Sequence, residues 1–239
     1  MNTCALIPAR YKSVRLPGKM LREIKGRPLI SYAYENARRT RGISQCFVCC
    51  DDERIADACR KHSIAYVMTS PDHTSGTSRI AEAAEKLDAD VIINVQGDEP
   101  LIGEKILSPL IDCFSDTATD IATVVKRTAE AHEIHNENVV KAVIDAKGFA
   151  MYFSRAAIPH RRKDVTRTPV FFKHIGVYAY RRSALLDIVK LPPCEYESIE
   201  MLEQLRWLYA GYRIKTIETA ETLIGVDTEE ELALAAALL

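Results

Sequence analysis

Short apolar runs alternate with amphipathic stretches through the first hundred residues. The apolar runs predict strands at residues 3–9, 45–50, 65–70 and 90–96. The amphipathic stretches predict helices at residues 28–40, 51–63 and 76–88, with Pro28 in the first turn of the first one. This rhythm favours a parallel sheet with helices on both faces, and such sheets bind ligands beyond the carboxyl ends of their strands.

The second half of the chain is less regular. Strands are predicted at residues 120–127, 138–146, 150–155, 174–182 and 212–219. A long amphipathic helix is predicted at 196–211, with one apolar stripe formed by Ile199, Leu202, Leu205 and Leu208. A closing helix is predicted at 228–239, capped by Thr228. The pattern shows no repeat or long linker, so we expect one domain, 1–239, with a nucleotide-binding half (1–125) continued by a mixed-sheet half (126–239).

Composition and charge exclude several classes of protein. The chain has 239 residues, 32 Lys and Arg against 33 Asp and Glu, and a formal net charge of −1, which disfavours a nucleic-acid-binding module. Its 47% hydrophobic and 27% charged residues are ordinary for a soluble globular protein, and we expect no membrane insertion. The first residues do not resemble a signal peptide, so the seven cysteines are expected to be reduced thiols of a cytoplasmic protein.

The spacing of Cys46 and Cys49 is that of a CxxC metal motif. No second CxxC exists to complete a zinc site. The surrounding segment QCFVCC is apolar and typical of a strand, in which cysteine acts as a small hydrophobic residue. We therefore interpret these thiols as structural.

A basic loop follows the first predicted strand, in the segment LIPARYKSVRLPGK (6–19). It contains Arg10, Lys12, Arg15 and Lys19 and no acid, at the expected ligand end of the sheet. Arginine forks and a mobile lysine suit a polyphosphate, although a solvated basic turn is an alternative. The loop is not a Walker A motif, because Ser13 and Met20 stand where that motif needs Gly and Ser or Thr.

Two aspartates and a polar loop are further candidates for chemistry. Asp98 follows the predicted strand in NVQGDEP (94–100), and Asp227 follows an apolar run in IGVDTEEEL (224–232). Such carboxylates hold Mg²⁺ when phosphates supply other ligands, but both segments also suit ordinary turns or helix starts. The loop DHTSGTSR (72–79) would bind a nucleobase or phosphate, or merely cap a helix.

Seven segments together resemble the 3-deoxy-manno-octulosonate (Kdo) cytidylyltransferase family. They are LIPARYKSVRLPGK, DHTSGTSRI, INVQGDEP, AMYFSRAAIP, HIGVYAYR, ESIEMLEQLR and GVDTEEEL, in the family's order, from about Leu6 to Leu232. The resemblance implies a Rossmann-like nucleotidyltransferase fold, with a mostly parallel mixed sheet and helices on both faces. It implies that CTP and Kdo give the CMP-sugar and pyrophosphate, for lipopolysaccharide biosynthesis.

The resemblance also implies roles for individual residues. Arg10, Arg15 and Lys19 would neutralise the phosphates, and Asp98 and Asp227 would hold Mg²⁺ at the α-phosphate. The nucleotide site would comprise Ala9, Arg10, Lys19, Ser75, Gly76, Thr77 and Asp98. The sugar site would comprise Gln96, Arg155, His174, Tyr178, Glu203 and Gln204, with His174 alternatively a polar residue beginning a strand. A homodimer is the family's expected assembly, formed by the half 126–239.

Alternative functions remain open at this point. A cytidylyltransferase for a sialic acid or for the 8-amino analogue of Kdo shares the chemistry, although PARYKSVRLPGK and SRAAIP fit the Kdo branch better than the sialic acid branch. A non-catalytic nucleotide-binding domain would not need Lys19, Asp98 and Asp227 together. The basic segment IPHRRKDVTRTP (158–169) does not match the family position by position, and it is interpreted as a solvated loop, a subunit contact or a determinant of sugar preference.

Overall fold

Buried strands alternate with helices in the computed structural model, which describes residues 1–13, 16–166 and 169–239. The strands are β1 (Thr3–Ala9), β2 (Glu23–Ile24), β3 (Arg27–Pro28), β4 (Gln45–Cys50), β5 (Tyr66–Met68), β6 (Val91–Asn94), β7 (Ile121–Thr128), β8 (Lys141–Ile144), β9 (Ala150–Ser154), β10 (Phe171–Arg181) and β11 (Ile214–Glu218). The α-helices are α1 (Leu29–Arg39), α2 (Glu53–Lys61), α3 (Gly76–Glu85), α4 (Glu104–Asp112), α5 (Ala131–Ile134), α6 (Arg182–Ile188), α7 (Glu195–Glu200), α8 (Gln204–Tyr209) and α9 (Glu229–Leu238). Short 3₁₀ helices cover Lys19–Leu21 and Cys113–Ser115.

The main sheet has the strand order β11-β7-β10-β6-β1-β4-β5. Strands β5, β4, β1 and β6 run parallel, β10 is antiparallel to both β6 and β7, and β11 is parallel to β7. The β8–β9 hairpin is attached to β10 through β8. This mixed α/β architecture confirms the Rossmann-like fold. Because Ala9 pairs in register with Cys50, the loops after β1 and β4 leave the sheet at one edge.

Both faces of the central strands are covered by helices. Alternate residues of β1 enter different cores: Ile7 packs with Ile30 and Ile55 below α1 and α2, whereas Leu6 packs with Ile80 below α3. This period of two, with apolar residues on both faces, explains why the strand is a continuous apolar run in the sequence. A third, smaller core joins α9 to the β2–β3 hairpin and fixes the chain next to Asp227.

The prediction of one continuous helix at 196–211 is wrong. It is divided into α7 and α8 at Met201, which has a left-handed backbone with φ of 52°. Leu202 and Leu205 are buried as predicted, but Ile199 is 71% exposed, so the expected single apolar stripe does not form. Pro28 is also placed differently, since it is the residue before α1 rather than a member of its first turn.

The cysteine interpretation is confirmed. All seven cysteines lie within the described residues and none forms a disulfide, and Cys46, Cys49 and Cys50 are buried in β4. Burial raises the pKa of the Cys50 thiol to about 11, so this thiol stays protonated and unreactive near neutrality. In the described part of the chain, every helix falls short of the length and apolar character that spanning a bilayer requires.

Candidate active site

A cavity of about 360 Å³ opens at the carboxyl ends of the parallel strands. At one end of it lie Lys19, Gln96, Asp98 and Asp227. The loop leading into α3 lines another part with His73, Thr74, Ser75, Gly76 and Arg79. The wall after β1 is formed by Pro8, Ala9, Arg10, Ser13 and Met20. The four segments that the sequence singled out, 6–19, 72–79, 94–100 and 224–232, therefore meet at one site.

Lys19 lies between the two predicted metal ligands. Its Nζ donates to Asp98 Oδ2 at 2.5 Å and to Asp227 Oδ1 at 2.7 Å, and its side chain is only 9% exposed. Burial alone would lower the pKa of Lys19, but the two carboxylates outweigh it and raise the pKa. The ammonium therefore stays charged and holds together two carboxylates that are far apart in the sequence.

Close backbone packing brings these three side chains together. Val226 N donates to Asp98 O at 2.9 Å, which places the segment before α9 beside the loop after β6. Gly97 allows this close packing, because a Cβ on it would lie 2.6 Å from Ile30 Cδ1 and 3.0 Å from Met20 Sδ and would force these core side chains to shift. The Asp227 N–H donates to Glu231 Oε2 at 2.7 Å, so the capping box of α9 also orients the second aspartate.

The side chains at this end of the cavity could bind Mg²⁺ together with a substrate, but they are too few to surround the ion by themselves. Within the described ranges, no three His, Cys, Asp or Glu side chains form a cluster able to hold a metal. Asp98 and Asp227 supply hard oxygen ligands close to one another, and Mg²⁺ is commonly held by one or two carboxylates together with substrate phosphates. The residues present thus fit a metal that binds with a polyphosphate.

Glu99 adds a third carboxyl behind the two aspartates. Burial, followed by repulsion from Asp98 and Asp227, raises its pKa to about 7. Its Oε1 faces Gly225, where a Cβ would lie at 3.2 Å. The sequence signal for this residue was only its position next to Asp98.

The loop before α3 is joined to the second half of the chain. Ser75 caps α3 by accepting from Ser78 N, and its hydroxyl also donates to Glu203 Oε1 at 3.2 Å. Thr77 Oγ1 donates to Glu203 Oε2 at 2.5 Å. Burial raises the pKa of Glu203, while the two hydroxyls oppose that rise. Gly76 packs against Pro8, and a Cβ added at Gly76 would lie 3.1 Å from Pro8 Cγ.

The residues predicted to bind the nucleotide after β1 differ in their exposure. Ala9 is buried in the cavity wall and Arg10 is exposed beside it. Among the described residues, none forms a hydrogen bond or ion pair with the Arg10 guanidinium, which leaves it available to an anion. Arg15 lies outside the described residues.

Among the predicted sugar residues, Gln96 lines the cavity, and Tyr178 lies near Glu203 and beside His174. The Gln96 amide contacts Gly176 O at 3.3 Å and joins β6 to β10. The ring centroids of His174 and Tyr178 are 5.3 Å apart, and Glu203 lies close enough to Tyr178 to contribute to the rise in its pKa, which is mainly due to burial. Burial lowers the pKa of His174 to about 3, and its Nε2 lies 2.9 Å from Thr123 Oγ1, so the ring is neutral near pH 7.

Arg155 is engaged by main-chain carbonyls. Its Nε donates to Glu200 O at 2.7 Å, Nη1 to Glu137 O at 3.0 Å and Nη2 to Met201 O at 3.4 Å. These bonds place it at the break between α7 and α8, where Glu203 and the buried Gln204 follow. Arg155 therefore stabilises the segment that carries two other predicted sugar residues.

Sequence reasoning singled out the loop 72–79 but missed the pairing of its His73 and Arg79 with two acids that lie outside that loop. His73 pairs with Glu82 at 2.6 Å, and Arg79 pairs with Asp51 at 2.8 Å. The Ser70 N–H and His73 lower the pKa of Glu82. Asp51 stands directly after β4, and the position of an acid at a strand end is the signal that would have identified it.

Comparisons with known proteins agree with this geometry. A family model described as "Cytidylyltransferase" matches residues 4–217. The 3-deoxy-manno-octulosonate cytidylyltransferase of Chlorobaculum parvum is 47% identical over 97% of this chain and 95% of its own length. That of Geobacter sulfurreducens is 43% identical over 97% of both chains. A solved CMP:2-keto-3-deoxy-manno-octonic acid synthetase complexed with CTP superposes with a TM-score of 0.95 and 40% identity, covering 100% of this chain and 98% of the other. The chain belongs to the 3-deoxy-manno-octulosonate cytidylyltransferase family.

Proposed function

We propose that this protein transfers CMP from CTP to the anomeric hydroxyl of 3-deoxy-manno-octulosonate and releases pyrophosphate. The observation that carries the proposal is the placement of Lys19, Asp98 and Asp227 at one end of the strand-edge cavity. Family membership over nearly the whole chain supports the same reaction. Neither line of support favours the sialic acid or 8-amino analogue alternatives.

The transfer requires stabilisation of negative charge more than covalent chemistry. As the sugar hydroxyl attacks the α-phosphorus, charge develops on the oxygen that leaves with pyrophosphate. The Lys19 ammonium, fixed by two carboxylates, and the accessible Arg10 guanidinium would neutralise that charge without much reorganisation. We expect Arg15 to assist them, as the family signature implies.

Asp98 and Asp227 would hold Mg²⁺ in this reaction. When bound, the ion would supply Lewis-acid polarisation of the α-phosphate and acidify the attacking hydroxyl. The capping box at Thr228 and Glu231 would then keep Asp227 in place, because Glu231 accepts from the Asp227 N–H.

The remaining cavity residues would bind the two organic parts of the substrates. Ala9, Ser75, Gly76 and Thr77 line or adjoin the part of the cavity assigned to cytidine. The sugar acid would contact Gln96, Tyr178 and Glu203, with Arg155 available to its carboxylate after exchanging a carbonyl partner. His174 would act as a neutral hydrogen-bonding ring, since burial keeps its pKa low.

We further propose a homodimer formed by the half 126–239. Large apolar side chains are exposed on the neighbouring elements β9, α7 and α8: Met151, Tyr196, Ile199, Met201 and Tyr209 are 49–75% exposed. Exposed apolar groups concentrated in this way are typical of interaction surfaces. A cytoplasmic location and a role in lipopolysaccharide biosynthesis follow from the substrates that we assign.

Mass spectrometry of the reaction products tests the proposal. Purified protein, CTP, Kdo and Mg²⁺ should yield CMP-Kdo and one pyrophosphate for each CMP transferred. Lys19→Met provides the control, because it should retain the fold and lose most turnover. Release of CMP or CDP without a CMP-sugar would show that the assigned reaction is wrong.

A further inference from the structure

The Tyr11 side chain joins the two ends of the basic loop. Tyr11 directly follows Arg10, and its half-buried ring packs against the core below α1 and α2. The same ring lies against Gly18, where an added Cβ would be 3.6 Å from Tyr11 Oη. Gly18 has a left-handed backbone, with φ of 65°, and is followed by Lys19. The ring therefore brings the residue after Arg10 next to the residue before Lys19.

The Tyr11 ring is also covered by the guanidinium of Arg54 on α2. The guanidinium carbon lies 3.4 Å from the ring centroid, which is a close cation–π contact. Asp52 orients Arg54, since Nε donates to Oδ1 at 2.8 Å and Nη2 donates to Oδ2 at 2.6 Å. Asp52 is also the N-cap of α2, where it accepts from Arg54 N at 3.0 Å. A capped helix start therefore holds this cation against the ring.

The main chain of Tyr11 is attached to the same segment. Tyr11 N donates to Asp51 Oδ1 at 3.4 Å, and Asp51 stands between β4 and Asp52. Backbone and side chain of Tyr11 are thus both held by the residues that join β4 to α2. Since the loop begins after β1, this attachment ties it to a second strand end.

Cations stabilise developing charge best when they need no rearrangement during the reaction. We propose that Tyr11 and Arg54 form a clamp that positions the basic loop, so that Arg10 and Lys19 are in place when the triphosphate binds. Both are positioning residues, because they act through the loop and not by contact with the substrate. This inference rests on the proposed function and adds how its phosphate-binding loop is held.

Variants that remove or keep the ring test this clamp. Tyr11→Leu should lower kcat/KM for CTP roughly ten- to a hundredfold, because small misplacements of catalytic groups have effects of that size. Tyr11→Phe keeps the ring and should retain most of the activity. Arg54→Met should lower kcat/KM about two- to fivefold, as expected for an exposed cation–π contact. KM for Kdo should be unchanged in all three variants.

Two comparisons distinguish the clamp from a general loss of stability. If Arg54 acts through the ring, Arg54→Met should have little further effect in the Tyr11→Leu background, whereas independent residues would give losses that multiply. Arg60→Met is the matched control on α2, because Arg60 lies 5.6 Å from the Tyr66 ring centroid and pairs with Asp57. This control should leave kcat/KM unchanged. Thermal unfolding of every variant shows whether the fold is retained.

Limited cleavage by trypsin tests the clamp without any reaction. Trypsin cleaves after lysine and arginine, and cleavage of a folded chain requires local opening. Mass spectrometry should show faster cleavage within residues 10–19 of Tyr11→Leu and Arg54→Met than of wild type, Tyr11→Phe or Arg60→Met.

Three results would overturn the clamp. They are equal cleavage of Tyr11→Leu and wild type, equal kinetic losses in Tyr11→Leu and Tyr11→Phe, and losses for Tyr11 and Arg54 that multiply. If Tyr11→Leu does not fold, identical behaviour of Arg54→Met and Arg60→Met would overturn it. A wild-type protein that does not use CTP would instead contradict the proposed function, and the cleavage result would still decide on the clamp.

Discussion

At the scale of single residues, Lys19 and Arg155 are both cations with several protein partners, yet replacing them should change different kinetic constants. Lys19 is fixed by two carboxylates, and in the proposed reaction its contribution would grow as charge develops on the leaving group. Lys19→Met should lower kcat roughly a hundred- to a thousandfold, as expected for the loss of one preorganised electrostatic group. Steady-state kinetics with each substrate varied in turn measure this loss.

Arg155→Met should instead act on the sugar acid. The carboxylate of Kdo changes little during the reaction, so losing its partner should raise KM for the sugar about ten- to a hundredfold. Three carbonyls also lose their donor, so this variant should be less stable than wild type. If KM rose for CTP and not for the sugar acid, Arg155 would not belong to the sugar pocket.

The response of each variant's activity to Mg²⁺ should distinguish the roles of the two aspartates from that of Lys19. Asp98→Asn and Asp227→Asn should each lower turnover by at least roughly a hundredfold, because even the supporting residues of metal sites commonly account for 10- to 100-fold effects. Raised Mg²⁺ should restore part of the activity in these variants but not in Lys19→Met. Near-normal activity of both variants, or of the wild type in excess chelator, would refute the two-aspartate metal site.

His174 should make the folded state sensitive to acid. Its pKa is about 3 in the folded protein and about 6.5 when unfolded, so the unfolded state binds the extra proton first. Its contribution is therefore fully present above about pH 6.5 and is lost as pH falls towards 3. Between pH 7.5 and 5 this amounts to about 2 kcal/mol.

Urea unfolding of wild type and His174→Gln at both pH values isolates this contribution. The glutamine amide can still reach Thr123 but does not titrate. The variant should lose less stability than the wild type between pH 7.5 and 5. An identical loss in both proteins would show that His174 is not the group responsible.

Residues close in sequence to a recognisable motif could be predicted, and residues joined only by folding could not. Lys19, Asp98 and Asp227 were identified because each follows an apolar run with a characteristic spacing. The pairing of Asp51 with Arg79 joins a strand end to a helix first turn, and nothing local in the sequence indicates that these two side chains meet. The contact between Thr77 and Glu203 was missed for the same reason.

At the scale of elements, the start of α9 orients Asp227, the second proposed metal ligand. Thr228 and Glu231 form a capping box, and Glu231 also accepts from Asp227 N. Glu231→Ala should therefore lower the free energy of unfolding by about 1 kcal/mol and raise the Mg²⁺ concentration needed for half-maximal activity. Glu230→Ala, one residue earlier in the same helix, is the comparison variant, because Glu230 interacts with the Thr228 cap, whereas the Asp227 N–H donates to Glu231. If both variants lost only stability, Glu231 would have a structural role alone.

Element boundaries were least predictable where tertiary contacts override periodicity. The pattern over 196–211 fits a helix, yet Met201 adopts a left-handed conformation while Arg155 binds the carbonyls of Glu200 and Met201. Side-chain bonds from Arg155, which lies 45 residues before Glu200 in the sequence, cannot be inferred from the local pattern. Thr228 could be identified as a cap because the capping box lies within four residues.

At the scale of the whole molecule, the alternation of strands and helices was sufficient to predict the central sheet. It predicted the parallel part because β1, β4, β5 and β6 are short apolar runs separated by amphipathic helices. The position of β10 between β6 and β7 joins the two halves into one sheet and could not be read from the chain order. This joining places Tyr178 of β10 beside Asn94 at the end of β6.

The central claim is that this chain is a CTP-dependent Kdo cytidylyltransferase, and pyrophosphate release over a substrate panel tests it most directly. The measurement is kcat/KM for CTP, UTP, ATP and GTP, each with Kdo, its 8-amino analogue and a sialic acid. The structure and the family predict by far the highest value for CTP with Kdo, and no turnover with CTP alone. Comparable values for UTP or ATP, or a clear preference for either other sugar acid, would contradict the account.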